Sequence, residues 1–276
     1  MRRVVSLVPS ITESLFELGF GEVVVGITDY CIYPAEPLES LPRIGGTKNP
    51  RLEEIVALQP DVVFANQEEN TQAAVEGLRA AGLNVIVHFP LTVQQAVADL
   101  ASMAALFGSH AAQAQVDLLA EQVAVTRQRN PAGLPVFVPI WYQPGLPEWW
   151  MTFNQHTFTH DVLTLCGFQS IFTARERRYP LAADLGSEPA KPAEGRDTRY
   201  PRVTAAEIAA AGPRAALLPS EPYAFAAADT QHLAGALGGQ LAAERIRLID
   251  GSLLTWPGMR IAQAIPVLQA LRAELA

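Results

Sequence analysis

The chain has little that would suit it to nucleic acid, to a lipid bilayer or to a disulfide framework. Its formal charge of −8 and pI near 5.2 would repel phosphate backbones rather than attract them. No stretch reaches eighteen uninterrupted apolar residues, so no membrane span is expected. Cys31 and Cys166 are the only cysteines, and two thiols so far apart read as unpaired. There is no Gly-x-Gly-x-x-Gly after a first strand, no phosphate-binding P-loop and no Gly-x-Ser-x-Gly elbow. Cys31 has no base that the sequence places beside it, so nucleophilic catalysis is not expected. The start, Met1-Arg2-Arg3 running into Val4-Val5-Ser6-Leu7-Val8, reads as a first strand and not as an export signal. What is present is a 276-residue chain, 49% hydrophobic and 17% charged. That is enough to bury two ordinary cores.

One stretch is written twice. Glu54-Ile55, Ala57-Leu58, Pro60, Val62-Val63-Phe64 and Glu68 recur as Glu207-Ile208, Ala210-Ala211, Pro213, Ala215-Ala216-Leu217 and Glu221, at a constant separation of 153 residues. Each copy reads as a short helix, a proline break, a buried strand and an acidic loop, because proline cannot continue the helix and the apolar run is too short for another. The repeat implies two related α/β lobes, and a cleft between such lobes is where a small ligand is expected.

Strand and helix patterns alternate as in a parallel sheet. Strands are expected over Val4 to Val8, Val23 to Val25, Val62 to Ala65 and Val85 to Val87, then Val136 to Val138 and Ile246 to Ile249. Capping boxes are expected at Ser10 to Glu13, Thr92 to Gln95 and Thr204 to Glu207. From His110 to Arg129 there is neither Gly nor Pro, and Val116, Leu119 and Val123 keep helical spacing. A helix of that length spans roughly 30 Å, a rigid strut that would allow little closure. The expected organisation is a Rossmann-like lobe over 1–107, a single backbone helix over 108–131 and a second lobe over 132–276. A solvated insertion is expected at 181–198, where Arg178-Tyr179-Pro180 recurs as Arg199-Tyr200-Pro201.

With that layout, Val5-Ser6-Leu7-Val8-Pro9-Ser10-Ile11-Thr12-Glu13, Arg43-Ile44-Gly45-Gly46-Thr47 with Leu52-Glu53, Leu58-Gln59-Pro60-Asp61-Val62-Val63 and Leu218-Pro219-Ser220-Glu221-Pro222-Tyr223 together resemble the helical-backbone metal receptor family. These are substrate-binding proteins of ABC importers for cobalamin, haem and iron siderophores, and the resemblance, which covers essentially the whole chain, is nearest to the cobalamin branch. It implies a monomer that binds a metal chelate, a corrinoid first, with haem or a ferric siderophore as alternatives. It also implies no catalytic cofactor, a permease partner and a location in the periplasm or cell envelope. The lack of an export signal leaves a cytoplasmic location open. An intracellular carrier or a tetrapyrrole-handling enzyme is the alternative.

Large flat side chains would suit a macrocycle. Trp141, Trp149, Trp150 and Trp256 all fall in the expected second lobe, on loops at strand ends, where Trp149 and Trp150 could instead pack the loop onto its own lobe. With Tyr223 they would form one wall of the cleft, facing Tyr30, Cys31, Tyr33, Thr47, Asn66 and Phe89. The resemblance further implies one acidic residue per lobe for docking on the permease; Glu68 and Glu221 hold equivalent places in the repeat, and Glu69 could share the role. Glu221 could instead line the cleft. No protein metal site is expected. His156 and His160 are four apart beside Asp161, but Thr157 looks like a helix start that leaves His156 outside. One axial ligand to a chelated metal, from Cys31, His88 or His156, is the remaining option.

Overall fold

The computed structural model describes residues 2–129 and 132–276. Met1 and the boundary expected at 131 lie outside the described residues. The chain forms two compact units: one holds the residues up to Gln122 together with Trp256–Ala262, the other Val123–Thr255 with Gln263–Ala276.

The first unit contains β1 (Val4–Ser6), α1 (Pro9–Glu17), β2 (Val24–Ile27), α2 (Ala35–Leu38), α3 (Leu52–Ala57), β3 (Val62–Asn66), α4 (Gln72–Ala80), β4 (Val85–His88) and α5 (Val93–Phe107). It also holds the start of α6 (His110–Gln128), the helix through which the chain continues into the second unit. Its sheet has the order β2-β1-β3-β4, and every pairing is parallel. Crossover helices cover both faces of such a sheet, so its central strands must be apolar throughout. Val4, Val5, Val62, Val63, Phe64 and Ala65 are all buried. In α6, Ala112, Val116, Leu119 and Val123 form the buried stripe read from their spacing.

The second unit contains β5 (Leu134–Phe137), β6 (Trp141–Gln143), β7 (Trp149–Met151), α7 (Phe158–Leu165), β8 (Phe168–Ser170), α8 (Leu181–Asp184), β9 (Arg202–Val203), α9 (Ala205–Ala211), β10 (Ala215–Pro219), α10 (Ala227–Ala236), β11 (Ile246–Ile249) and α11 (Ser252–Thr255). After the return to the first unit, α12 (Ile261–Leu275) ends the chain. The parallel sheet runs β11-β10-β5-β8. Numbered by appearance within each unit, both sheets therefore have the order second, first, third, fourth. The repeat read from sequence is the α3-to-β3 and α9-to-β10 connection: β3 and β10 are both five residues long and start 153 residues apart. The duplication is architectural.

Local signals account for most element ends. Thr92 with Gln95 and Thr204 with Glu207 are capping boxes, and α5 and α9 close on Gly108 and Gly212 in the left-handed conformation. Each such cap contributes about 1 kcal/mol. The box expected at Ser10 to Glu13 does not form. Pro9 already occupies the first turn of α1, no side chain caps it, and Glu13 pairs with Arg260 instead.

Two further expectations are corrected. Trp141, Trp149 and Trp150 lie not on loops but on β6 and β7, which with β9 form an antiparallel sheet missed because each strand is only two or three residues long. The 181–198 segment is not wholly solvated, since it opens with α8 and buries Asp184 completely. That carboxylate accepts from Arg175 Nη1 at 3.0 Å, Arg202 Nε at 2.9 Å and the backbone N–H groups of Arg178 and Arg202 at 2.8 and 2.9 Å. A buried charge so satisfied is costly to break, because removing it strands two cations. Asp184→Asn should lower unfolding free energy by about 3–5 kcal/mol in urea titration; a loss under about 1 kcal/mol would show that solvent reaches the pair.

Candidate functional site

In a parallel sheet all strands end on one edge, and ligands bind outside those carboxyl ends. In the first unit β1 leads to Pro9, β2 to Thr28 through Tyr33, β3 to Gln67 through Asn70 and β4 to Phe89. In the second, β5 leads to the β6–β7 hairpin, β8 to the segment from Ile171, β10 to Ser220 through Tyr223 and β11 to Asp250. Each unit thus collects most of its expected site residues on one edge of its own sheet.

On the first unit the loop after β2 is pinned from beneath. Cys31 is fully buried, its thiol 3.0 Å from Thr12 Oγ1 and 3.2 Å from Thr28 Oγ1, and Arg43 Nη1 donates to the Thr28 and Cys31 carbonyls. Burial pushes the thiol pKa up despite those hydroxyls. Cys31 therefore has no surface to offer a ligand in this conformation. It anchors the loop that presents Tyr30, 63% exposed, and Tyr33, 40% exposed. Trp256, which the sequence assigns to the second lobe, groups with the first unit, and its ring meets that of Tyr33 edge-on at 6.0 Å. Arg260 lies over both rings, its guanidinium 4.6 Å from the Tyr33 centroid and 5.2 Å from that of Trp256.

Arg260 is held by a buried, two-pronged pair with Glu13, Nε to Oε2 at 3.0 Å and Nη2 to Oε1 at 2.6 Å. Met259 N–H donates to Ser14 Oγ, and a Cβ on Gly258, whose φ is +154°, would meet that oxygen at 2.2 Å. Only glycine lets the segment sit this close to α1. Thr47 and Asn66 belong to the loop framework. Asn70 Nδ2 donates to the Thr47 carbonyl, Asn66 N–H to Asn70 Oδ1, and Asn66 Oδ1 accepts from Glu68 N–H. Phe89, Glu68 and Glu69 are half-buried.

On the second unit Trp150 is a core residue, 2% exposed, as the self-packing reading allows. Tyr142 stacks on it at 5.2 Å. Strand alternation turns Trp141 the other way, 43% exposed, with its ring edge-on to Tyr223 at 5.4 Å and Tyr223 against Phe225 at 4.6 Å. Trp149 is half-buried. The hairpin is tied to α10: the Tyr142 hydroxyl donates to Glu148 Oε1 at 2.6 Å, and His232 Nε2 lies 2.9 Å from the hydroxyl and 2.7 Å from the carboxylate. Burial, then the bond to Glu148, drives the Tyr142 pKa upward. Glu221 follows β10, and its Oε1 accepts from Thr255 Oγ1 at 2.6 Å.

Residues the sequence reading did not select are Arg260, Tyr142 and His232. An arginine just ahead of an apolar helix was the available signal for the first, but its partner Glu13 is 247 residues away. His156 lies before α7, capped by Thr157 as read, and His160 Nε2 is 3.4 Å from Thr164 Oγ1. Among the described residues no group of three His, Cys, Asp or Glu is placed to hold a metal ion.

Residues 4–192, more than half of the chain, match the periplasmic binding protein family, and the chain belongs to it. That bears out the resemblance read from the sequence motifs. The vitamin B12-binding protein of Pectobacterium carotovorum subsp. carotovorum (strain PC1) is 29% identical over 208 residues, 69% of this chain and 73% of that protein. The one from Yersinia pestis (strain Pestoides F) is 29% identical over 182 residues, 64% of this chain and 62%, under two thirds, of that protein. Among solved structures, the periplasmic vitamin B12 binding protein BtuF of Vibrio cholerae matches with a TM-score of 0.75 at 19% identity, covering 99% of this chain and 97% of that one. The periplasmic heme-binding protein RhuT from Roseiflexus sp. RS-1 matches at 0.76 and 20%, covering 99% and 98%. At such identities the likeness is one of fold.

Beneath the first face, His88 and Asp99 line a small cavity with Asn66 and Ser14, His88 Nδ1 lying 3.8 Å from Asp99 Oδ2. Burial lowers the His88 pKa to about 4 and raises that of Asp99 to about 6. Near pH 5 the folded protein keeps one proton, on Asp99, and the unfolded chain also keeps one, on His88, so the two effects on stability oppose each other. Asp99→Asn removes the compensation. Its stability should fall by about 2 kcal/mol between pH 7 and pH 4.5, as the unfolded histidine gains a proton the folded one refuses. His88→Asn should instead gain stability over that range, and denaturation curves parallel to wild type for both variants would contradict the pairing.

Proposed function

We propose that the protein captures a metal-chelate macrocycle, a corrinoid in the first instance, and delivers it to the permease of an ABC importer in the cell envelope. The observation that carries this reading is the pair of aromatic faces, Tyr33 backed by the buried Trp256 on one unit and Trp141 with Tyr223 on the other, each at the carboxyl edge of its sheet. Rigid rings supply large apolar area at little entropic cost, which suits a broad flat ligand better than an ion. The names of the relatives support the same ligand class, vitamin B12 first and haem second. Tyr30 and Trp149 extend the faces, while Cys31, Trp150, Thr47 and Asn66 hold them in place. The protein acts as a monomer and leaves its ligand chemically unchanged.

Glu68 and Glu221, equivalent in the repeat, are the proposed docking carboxylates, with Glu69 beside the first. Charge reversal at both should abolish stimulation of the partner transporter while ligand affinity stays within about threefold, a change under about 0.7 kcal/mol. A large affinity loss would place them in the ligand site instead.

Titration with cobalamin, cobinamide, haem and a ferric siderophore, followed by tryptophan fluorescence, tests the ligand class. Tyr33→Ala and Trp141→Ala should each weaken the preferred ligand about tenfold or more, near 1.4 kcal/mol, with circular dichroism unchanged. Full affinity in both variants would remove the aromatic faces from the account.

A further inference from the structure

The chain is acidic overall, yet six arginines gather between residues 175 and 202, in the segment that follows β8 at the carboxyl edge of the second sheet. Most have their charge or their donors engaged. Arg175 and Arg202 share the buried Asp184. Arg199 takes both oxygens of Asp197, Nε to Oδ1 at 3.0 Å and Nη2 to Oδ2 at 2.6 Å. Arg196 gives Nε and Nη2 to the Ala193 and Pro192 carbonyls at 2.8 and 2.9 Å, bonds that leave its charge unbalanced.

Arg177 is different. Its Nε, like that of Arg175, is buried and makes no hydrogen bond, although a buried guanidinium nitrogen normally finds an acceptor; Arg175, however, still gives its Nη1 and Nη2 to Asp184. Its guanidinium carbon lies 4.9 Å from the Tyr179 ring centroid, and that of Arg196 lies 4.1 Å from the same centroid. The Tyr179 hydroxyl donates to the Asp197 carbonyl at 2.7 Å, which fixes the ring. Arg202, already paired with Asp184, lies 6.0 Å from the Tyr179 centroid, and cations gathered on one ring gain from its quadrupole but repel each other. The carboxylate in reach, Asp197, already serves Arg199. A planar fork with unused donors is the group proteins use for carboxylate and phosphate.

We infer that Arg177 and Arg196, held on Tyr179, form an oxyanion subsite that takes a carboxylate or phosphodiester arm of the bound chelate. This deepens the proposed function and rests on it. A ligand carrying such an arm is then preferred over the same ring system without it. Haem offers propionate carboxylates, and cobalamin offers the phosphodiester of its nucleotide loop.

The test compares matched pairs on the untagged full chain: haem against haem dimethyl ester, and cobalamin against cobinamide. Wild type should prefer the member that carries the anionic arm in at least one pair by tenfold or more. In Arg177→Gln/Arg196→Gln that preference should fall below threefold while the member without the arm binds as before. Arg196→Gln alone, at an exposed position, should narrow the gap in part and guards against misfolding of the double variant. Closure in the haem pair identifies a carboxylate arm; closure in the cobalamin pair identifies a phosphodiester. No preference in wild type, or a preference that survives both substitutions, overturns the subsite while chelate binding stands. Failure of wild type to bind any of the four overturns the proposed function and the subsite together.

Discussion

Parallel strand direction is the constraint from which the rest of each unit follows. Parallel neighbours cannot be joined by tight turns, so every return passes through a crossover of ten or more residues, and the loops leaving the strands collect on one edge. Four strands arranged as second, first, third, fourth place the loops of β1 and β3, or of β5 and β10, at the middle of that edge. Glu68 on one unit, and Trp141, Tyr223 and Glu221 on the other, are positioned by this rule before any specific contact is considered, while Tyr33 follows the outer strand β2 on the same edge.

Buried charge then fixes the loops. Glu13 and Arg260 hold the Trp256–Ala262 segment against α1, and Arg260 in turn presents its guanidinium to Tyr33 and Trp256. Asp184 ties α8, β9 and the start of the arginine segment into one body through Arg175 and Arg202. Both carboxylates are paired with forked guanidinium groups, the geometry that best offsets desolvation. What such pairs hold firmly is geometry, since removing either partner leaves a buried charge without its counter-ion. Rigid loops suit a binder, since affinity improves when the ordering cost is met in advance.

Much of the fold was legible because it is local. The 153-residue repeat, the caps at Thr92 and Thr204, the stripe of Val116, Leu119 and Val123 and the proline breaks all act within a few residues of themselves. What escaped is long-range. Nothing near Glu13 indicates that Arg260 will reach it, so the Ser10 to Glu13 pattern reads as a cap, and nothing near Trp256 indicates that it will join the first unit. Trp141, Trp149 and Trp150 look alike in sequence, yet alternation along strands of three residues buries Trp150 and exposes Trp141. Cys31 is expected from sequence on the cleft wall or as an axial ligand, whereas burial against Thr12 and Thr28 makes it an anchor.

The central claim is that aromatic faces on a two-unit parallel α/β framework hold a macrocyclic chelate and return it unaltered. The most direct measurement is equilibrium dialysis of the full chain against the candidate chelates, followed by denaturation and the absorption spectrum of what is released. The account predicts one equivalent of ligand per chain with the spectrum it had on entry. A released product with a new spectrum, or no ligand retained from any of the chelates, would contradict it.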